Sequence, residues 1–199
     1  MNTAPALDPA HTALLVMDCQ PAILAALPGG EDGEALLGRL EGAIADVRAQ
    51  GGTIAYVRAG FTEADWDAIP AANKSFAPLA QHRAMHHEDP AAAIHERLAP
   101  QDGDIVVRKI RYGGMSTTDL DRQLRERGIT SLIISGVSTG GGVLSTVVDA
   151  ADRDYRLYVL SDGVADPDTE VHDVLLRRVL PSRAHIVDTA ELPALLRAG

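Results

Sequence analysis

Short apolar runs alternate with amphipathic stretches along most of this 199-residue chain. Apolar runs bounded by polar residues and glycines are typical of strands buried in a parallel sheet. The pattern predicts about six strands, whose ends fall near Asp18, Arg58, Lys109, Gly136, Asp162 and Asp188.

Amphipathic helices are predicted between most of these strands. The clearest covers residues 34–50, with its large apolar residues on one face and a glycine pair as its stop. A second is predicted over residues 116–127. Because successive strand–helix–strand units cross over with right-handed parallel geometry, the sequence predicts an α/β fold with a doubly wound parallel sheet and helices on both faces. The length suits one domain over residues 1–199.

The stretch from Phe61 to Pro90, here called the 61–90 segment, interrupts this rhythm. It has no sustained periodicity, so we predict a long ordered loop that contains a short helix. Long loops in compact α/β domains often cover active sites, although a surface excursion or a subunit contact fits equally. Its histidines could suggest a metal. Without carboxylate–histidine spacing on rigid elements we expect no metal, and solvated or packed side chains for His82, His86 and His87.

Charge narrows the classes of partner. The formal net charge is -10 and the pI about 5.0, and no cluster of lysine or arginine offsets that balance. Such a chain would repel a phosphate backbone or an anionic membrane, so neither nucleic acid nor a membrane is expected as a partner. A small anionic substrate remains compatible if a few basic residues line its site.

Cys19 is the only cysteine, which excludes an internal disulfide and a multi-cysteine metal site and fits a reducing compartment. Residues 1–9 carry no basic side chain, and the apolar run over residues 13–17 is too short for a signal-peptide core. We therefore expect a cytoplasmic protein. Because neighbours on a strand point to opposite faces, Cys19 is predicted to be a buried small hydrophobe.

Asp18 and Lys109 stand at the carboxyl ends of predicted strands, where open parallel sheets bind ligands. Asp18 could carry chemistry or cap the next helix. Most lysines are solvated, but one beside Asp18 would hold a carboxylate in place or stabilise a developing anion. Arg111 and Tyr112 could bind a substrate carboxylate or hydroxyl, although salt bridging and packing are the more ordinary roles for each.

Residues 136–142, here called the glycine turn, join an apolar strand to a helix N-terminus. The stretch Gly-Val-Ser-Thr-Gly within it matches the G-x-S-x-G elbow of serine hydrolases, with Ser138 as nucleophile and Asp162 followed by His172 or His185 downstream. That interpretation leaves the strand-end aspartate and lysine unexplained. A phosphate cradle fits less well, because the turn lacks both G-x-G-x-x-G spacing and a P-loop lysine.

Three motifs together resemble the isochorismatase-like (cysteine hydrolase) superfamily. They are Leu-Val-Met-Asp-Cys-Gln ending at Gln20, Lys-Ile-Arg-Tyr beginning at Lys109, and Gly-Val-Ser-Thr-Gly-Gly-Gly-Val beginning at Gly136. The resemblance covers nearly the whole chain. It implies a Rossmann-like fold, a cis peptide at Val137–Ser138, a homo-oligomer, a small-molecule substrate and no cofactor.

The resemblance also implies roles for particular residues. Asp18 and Lys109 match the family's catalytic pair, and Gly142 stands where most members carry the nucleophilic cysteine. We expect these three to converge at one edge of the sheet. The substrate-binding positions that the resemblance implies are Gln20, Arg111, Tyr112, Ser138, Thr139 and Gly141.

Glycine cannot attack a carbonyl, so the expected chemistry needs no acyl-enzyme. Gly-Val-Leu-Ser-Thr-Val-Val-Asp-Ala is similar to isochorismatases that cleave vinyl ethers, which implies that Asp18 protonates an enol-pyruvyl methylene before water adds. Those members often carry Tyr where this chain has Ser138, which puts isochorismate itself in doubt. Lys109 favours an ionised Asp18, so desolvation or an anionic substrate must oppose it. The alternatives are amide or other C–N hydrolysis by activated water, and a non-catalytic binding protein on a degenerate enzyme fold.

Overall fold

A six-stranded parallel sheet forms the centre of the molecule in the computed structural model, which describes residues 4–28 and 30–196. The spatial order of the strands is β3-β2-β1-β4-β5-β6, and every neighbouring pair runs parallel. The predicted doubly wound sheet is therefore confirmed. In chain order the strands are β1 (Thr12–Met17), β2 (Thr53–Ala59), β3 (Ile105–Lys109), β4 (Ser131–Val137), β5 (Arg156–Ala165) and β6 (His185–Val187).

Helices connect the strands, and the longest, α2, confirms the helix predicted over residues 34–50. The helix predicted over residues 116–127 is shorter than expected. The Thr118 hydroxyl donates to the Gly114 carbonyl and accepts from the Leu120 amide, which holds the first residues in a turn. The helices are α1 (Pro21–Leu24), α2 (Gly30–Ala49), α3 (Glu63–Asp67), α4 (Ala77–Gln81), α5 (Leu120–Glu126), α6 (Leu144–Ala151), α7 (Thr169–Val174) and α8 (Leu192–Leu195).

Each face of the sheet is covered by helices, as predicted. Alternate residues of a strand point to opposite faces. Leu15 and Met17 of β1 belong to an apolar core shared with α5 and α6, whereas Leu14 and Val16 belong to a second core shared with α2 and α8. Burial on both faces explains why β1 reads as a continuous apolar run. Within the described ranges no helix combines the length and apolar character that a membrane crossing requires.

The 61–90 segment is ordered and contains two short helices, α3 and α4, where one was predicted. It has a small apolar cluster of its own, and the indole nitrogen of Trp66 donates to the carbonyl of Ala84 at 3.1 Å. The segment therefore packs largely on itself. The buried members of its cluster are Phe61, Trp66, Ile69 and Phe76.

β1 and β4 lie side by side although β2 and β3 come between them in the sequence. The chain leaves β1 toward one edge of the sheet and returns at β4 to build the other edge. In open α/β sheets the crevice outside the carboxyl ends of such a pair is where ligands bind. Asp18 follows β1 and Ser138 follows β4, so both stand at this crevice.

Candidate active site

Asp18 occupies a constrained position just beyond β1. Its φ of 53° lies in the left-handed region, which aspartate enters more readily than most residues. Its amide donates to the Val57 carbonyl of β2 at 2.7 Å, which fixes the backbone against the neighbouring strand. The residue is buried and its side chain lines a cavity at the carboxyl edge of the sheet.

Lys109 ends β3 and reaches across the end of β2 to Asp18. Its Nζ lies 2.6 Å from Oδ2 of Asp18 and donates to the carbonyl of Tyr112 at 3.0 Å. Each of the paired side chains is only 5% exposed. Ala59, at the end of the intervening strand, is small and lines the same cavity. The two charged residues therefore form a buried ion pair at the cavity wall.

The protonation of Asp18 is set by two opposing effects. Burial raises the pKa of this carboxyl, and this effect exceeds the lowering of the pKa by the nearby Lys109 ammonium and by the backbone amide of Ala59. The other carboxyl oxygen, Oδ1, is buried and has no hydrogen-bond partner among the described residues. A buried oxygen without a partner is costly and calls for an explanation. A proton or a substrate group at Oδ1 would supply one.

The glycine turn brings Gly142 against this pair. Gly136 has a φ of 107°, and a Cβ added there would lie 2.0 Å from the Met17 carbonyl oxygen, so only glycine fits beside β1. The Val137–Ser138 peptide is cis, as the resemblance implied. A Cβ on Gly142 would lie 2.8 Å from Oδ2 of Asp18 and 3.4 Å from Nζ of Lys109. The expected convergence of Asp18, Lys109 and Gly142 is confirmed.

The cavity beside the pair has a volume of about 370 Å³ and a mostly apolar wall. Three charged side chains line it, those of Asp18, Lys109 and Arg111. The 61–90 segment supplies one wall and α1 with the following turn supplies another. The apolar lining residues from these two parts are Phe61, Phe76, Leu79 and Met85, and Ala22, Ile23 and Ala26.

Arg111 and Tyr112 both line the cavity, as their predicted substrate-binding role requires. Phe76 packs between them. The Arg111 guanidinium carbon lies 5.3 Å from the centre of the Phe76 ring, and the Tyr112 ring meets Phe76 edge-on with centroids 5.0 Å apart. Nη1 of Arg111 donates to the carbonyl of Ile110 at 2.6 Å. These contacts leave a positive group at the cavity wall, held against an aromatic ring.

The other predicted binding residues are placed differently. Ser138 lines the cavity. Gly141 is not among the lining residues and packs against Ser138, so that an added Cβ would be 2.6 Å from Oγ of Ser138. Gln20 is fully buried and its amide is engaged by backbone, donating to the carbonyls of Ala59 and Ala92 and accepting from the Ala59 amide. The hydrogen bonds of Gln20 thus tie the start of α1 to the end of β2 and to Ala92.

Thr139 is also fully buried, and its hydroxyl shares a hydrogen bond of 2.8 Å with Nδ1 of His172. This bond bears on the serine-hydrolase alternative, because it gives His172 a partner other than Ser138. Asp162 accepts from the amide and hydroxyl of Thr189, and His185 packs against Tyr158 with ring centroids 5.1 Å apart. The G-x-S-x-G match is therefore not accompanied by a serine triad of these residues.

Cys19 behaves as predicted. Its Sγ approaches the carbonyl of Met17 at 3.5 Å, and the side chain packs in the core shared with α2. Burial raises the pKa of this thiol, which keeps it protonated and unreactive.

The histidines of the 61–90 segment stand away from the cavity wall. The ring of His86 packs between Trp66 and His87, with centroids 5.6 and 4.8 Å away. His86, His87 and Glu88 each have an atom of a kind that can bind a metal, and these three atoms lie within 4.8 Å of one another. His82 is exposed at the end of α4.

Comparison with known proteins agrees with this fold. The isochorismatase domain model matches residues 12–191. The chain belongs to the isochorismatase family and is an isochorismatase-like hydrolase.

The names of individual relatives give different activities. Ureidoacrylate amidohydrolase RutB of Methylobacterium radiotolerans is 35% identical, over 79% of this chain and 68% of that protein. A solved cysteine hydrolase from Pseudomonas syringae has the same fold, with a TM-score of 0.86 at 24% identity over 100% of this chain and 99% of that one. N-carbamoylsarcosine amidase from Thermoplasma acidophilum has a TM-score of 0.72 at 25% identity, covering 89% and 96% of the two chains.

Proposed function

We propose that this hydrolase cleaves a small anionic enol ether, with Asp18 as general acid and without a covalent intermediate. The observation that carries the proposal is the condition of the Asp18 carboxyl. It is buried at the cavity wall, its Oδ1 lacks a partner within the described residues, and burial raises its pKa. A carboxyl in such surroundings favours the protonated form, which acid catalysis needs.

Gly142 supports a route without a nucleophile. Its α-carbon stands next to the Asp18–Lys109 pair, where a cysteine side chain would begin, and the carboxyl oxygen of Asp18 occupies part of the space that such a side chain needs. Protonation of an enol ether requires an acid and a water molecule and no group at residue 142. The missing side chain is therefore compatible with full activity in this chemistry.

In the proposed reaction Asp18 gives its proton to the terminal methylene carbon, and the electrons of the C=C bond form the new C–H bond. The cationic carbon that results, stabilised by the ether oxygen, takes up water, which returns a proton to Asp18. The proton of the hemiketal hydroxyl then passes to the ether oxygen, the bond from carbon to that oxygen breaks as the C=O bond forms, and a keto acid and an alcohol are released. Lys109 holds the carboxyl in position and stabilises the carboxylate that remains after the first proton transfer.

The charge of the cavity wall supports an anionic substrate. When Asp18 carries a proton, Lys109 and Arg111 leave the wall with two positive charges. A planar guanidinium binds a carboxylate through two parallel hydrogen bonds. The apolar residues around it suit a hydrocarbon ring or chain. We therefore expect a substrate of small-metabolite size that joins one carboxylate to an apolar body.

Parallel assays of two substrate classes test the proposal. Purified protein is given a panel of carboxylated enol ethers similar to isochorismate, and separately a panel of small ureido acids and amides. Keto-acid release and ammonia release are followed by independent coupled assays. We expect pyruvate from the enol ethers and no ammonia from the amides. Ammonia release without keto-acid release would replace the proposal with amide hydrolysis.

The second candidate, amide or other C–N hydrolysis, is favoured by the relatives named as an amidohydrolase and an amidase. Here Asp18 would act in its ionised form, taking a proton from the water that attacks the carbonyl, while amides of the glycine turn hold the oxyanion. The two candidates need opposite protonation states of the same residue, so the pH dependence of the rate distinguishes them.

A further inference from the structure

The glycine turn has few side chains of its own to fix it. Residues 140–142 are all glycine, and glycine loses more conformational freedom on folding than any other residue. The turn nevertheless carries Gly142, whose α-carbon packs against the Asp18–Lys109 pair, and Ser138 at the cavity wall. The Ser138 carbonyl accepts from the amides of Gly141 and Val143, and side chains from outside the turn add further contacts.

Two such contacts come from the stretch that follows β5. The carboxylate of Asp166 accepts from the Gly140 amide at 2.7 Å and, through its other oxygen, from the Asp168 amide at 3.0 Å. The Thr139 hydroxyl shares its hydrogen bond of 2.8 Å with Nδ1 of His172. Both contacts attach the turn to one continuous stretch, because Asp166 lies just before α7 and His172 lies within it.

The N-terminal end of α7 is held by hydrogen bonds of its own. Asp168 is its N-cap and accepts from the amides of Glu170 and Val171, which satisfies donors that a helix start leaves open. His172 stands one turn further along and is half-buried. It lines a separate cavity of about 190 Å³, and it does not line the cavity that holds Asp18.

We propose that His172 is a positioning residue, which fixes the glycine turn through the buried hydroxyl of Thr139. It touches neither the Asp18–Lys109 pair nor the substrate cavity, so it acts only through the turn. With His172 absent, Thr139 becomes a buried hydroxyl without this partner, and the turn loses one of its two side-chain contacts with the stretch after β5. The effect of His172 on the reaction rate rests on the proposed function, because it assumes that the groups beside the turn are the reacting ones.

A first experiment measures the turn directly and needs no substrate. Protein labelled with ¹⁵N-glycine reports hydrogen exchange at the amides of residues 140–142. We expect exchange there to accelerate about 10-fold in His172→Ala, the size of effect produced by losing one buried hydrogen bond. His172→Asn, which keeps a polar atom near the position of Nδ1, should restore most of the protection. Unchanged protection in His172→Ala would overturn the proposal.

Kinetics provide the second measurement. We expect His172→Ala to lower kcat about 10-fold with KM changed by less than about twofold, because the turn borders the reacting pair whereas Arg111 and most of the apolar wall lie outside it. His185→Ala is the matched control. It removes a different half-buried histidine, at the start of β6, and should leave kcat unchanged. The double variant His172→Ala/Thr139→Val should be no slower than Thr139→Val alone, since both changes break one bond. Additive losses would show that the residues act separately and would overturn the proposal.

The two measurements fail in distinguishable ways. If neither substrate class is turned over by the parent protein, the proposed function fails, whereas the exchange measurement still decides the role of His172. If His172→Ala does not fold, Thr139→Val compared with Thr139→Ser tests the same bond from its other side. Thr139→Ser keeps the hydroxyl and should keep the protection. Equal protection in both Thr139 variants would overturn the proposal.

Discussion

Nζ of Lys109 lies 2.6 Å from Oδ2 of Asp18, although β3 and β1 are separated by β2. Adjacent strands are about 4.8 Å apart, so the lysine uses the length of its side chain to span two spacings. The pair is buried, and removing either partner leaves the other charge uncompensated. Substitutions here therefore affect both chemistry and stability, and each test needs a control that separates the two.

Asp18→Asn should lower kcat about 10²–10⁴-fold on an enol ether, with a much smaller change in KM. Asparagine keeps the size of the side chain and cannot transfer the proton. Steady-state kinetics measure the effect. Asp104→Asn is the matched control, since it removes another little-exposed carboxylate that is paired with an arginine, Arg48. It should retain full kcat, and a comparable loss in the control would mean that general destabilisation causes both.

The rate of enol-ether cleavage should fall as pH rises through the pKa of Asp18. Burial raises that pKa, so the active protonated form persists above the pH range in which an ordinary aspartate ionises. The measurement is kcat/KM against pH, which reports groups of the free enzyme. A rate that rises with pH over the same range would indicate that Asp18 acts as a base, as amide hydrolysis requires.

Gly142→Cys should lower enol-ether cleavage and make the remaining activity sensitive to iodoacetamide. The new Cβ would lie 2.8 Å from Oδ2 of Asp18, so the carboxyl must move. Gly142→Ala introduces the same Cβ without the thiol and should show the same loss without the new sensitivity. Improved enol-ether cleavage in the cysteine variant would mean that a nucleophile assists the reaction.

The parent protein should keep its activity after treatment with iodoacetamide or a fluorophosphonate. Cys19 is buried with a raised pKa, and the predicted base for Ser138, His172, is bonded to Thr139. Mass spectrometry and residual rate are measured on the same sample. Stoichiometric labelling of Ser138 with loss of activity would restore the serine-hydrolase interpretation.

Gly136→Ala should destabilise the protein severely, by more than about 4 kcal/mol, or prevent folding. The added Cβ would lie 2.0 Å from the Met17 carbonyl oxygen. Gly103→Ala is the matched control. Its φ of 94° is also positive and open space surrounds its Cβ position, so it should cost only about 1–2 kcal/mol. Urea unfolding of both variants measures the difference, and equal losses would show that φ alone matters at Gly136.

The sequence was sufficient for the sheet and for the Asp18–Lys109 pair, because both depend on local signals. A buried strand reads as an apolar run, and parallel strands bring their carboxyl ends to one edge. Strand limits were less certain. β5 was predicted to end near Asp162 and continues to Ala165, because its register against β4 shifts between Ile134 and Gly136. Such an irregularity leaves no periodic signal in the apolar pattern.

Side-chain partners far apart in the chain could not be predicted. Gln20 was assigned to substrate from its motif, yet its amide meets the backbone of Ala59 and Ala92, which the sequence places 39 and 72 residues away. The hydrogen bond between Thr139 and His172 also joins residues far apart in the chain, 33 positions from each other. The sequence also could not predict that Phe61 and Phe76 line the cavity, because the 61–90 segment folds through contacts that follow no helical or strand period.

The 61–90 segment carries its own apolar cluster, follows the end of β2 in the chain, and packs against Ile110 just beyond β3. It supplies one wall of the cavity, whereas Asp18 directly follows β1 and Lys109 is the last residue of β3. Part of the apolar wall is thus encoded in a different part of the chain from the residues proposed for proton transfer. A graft that exchanges this segment for another of similar span would retune substrate choice while the strand ends, and the acid they hold, are inherited unchanged.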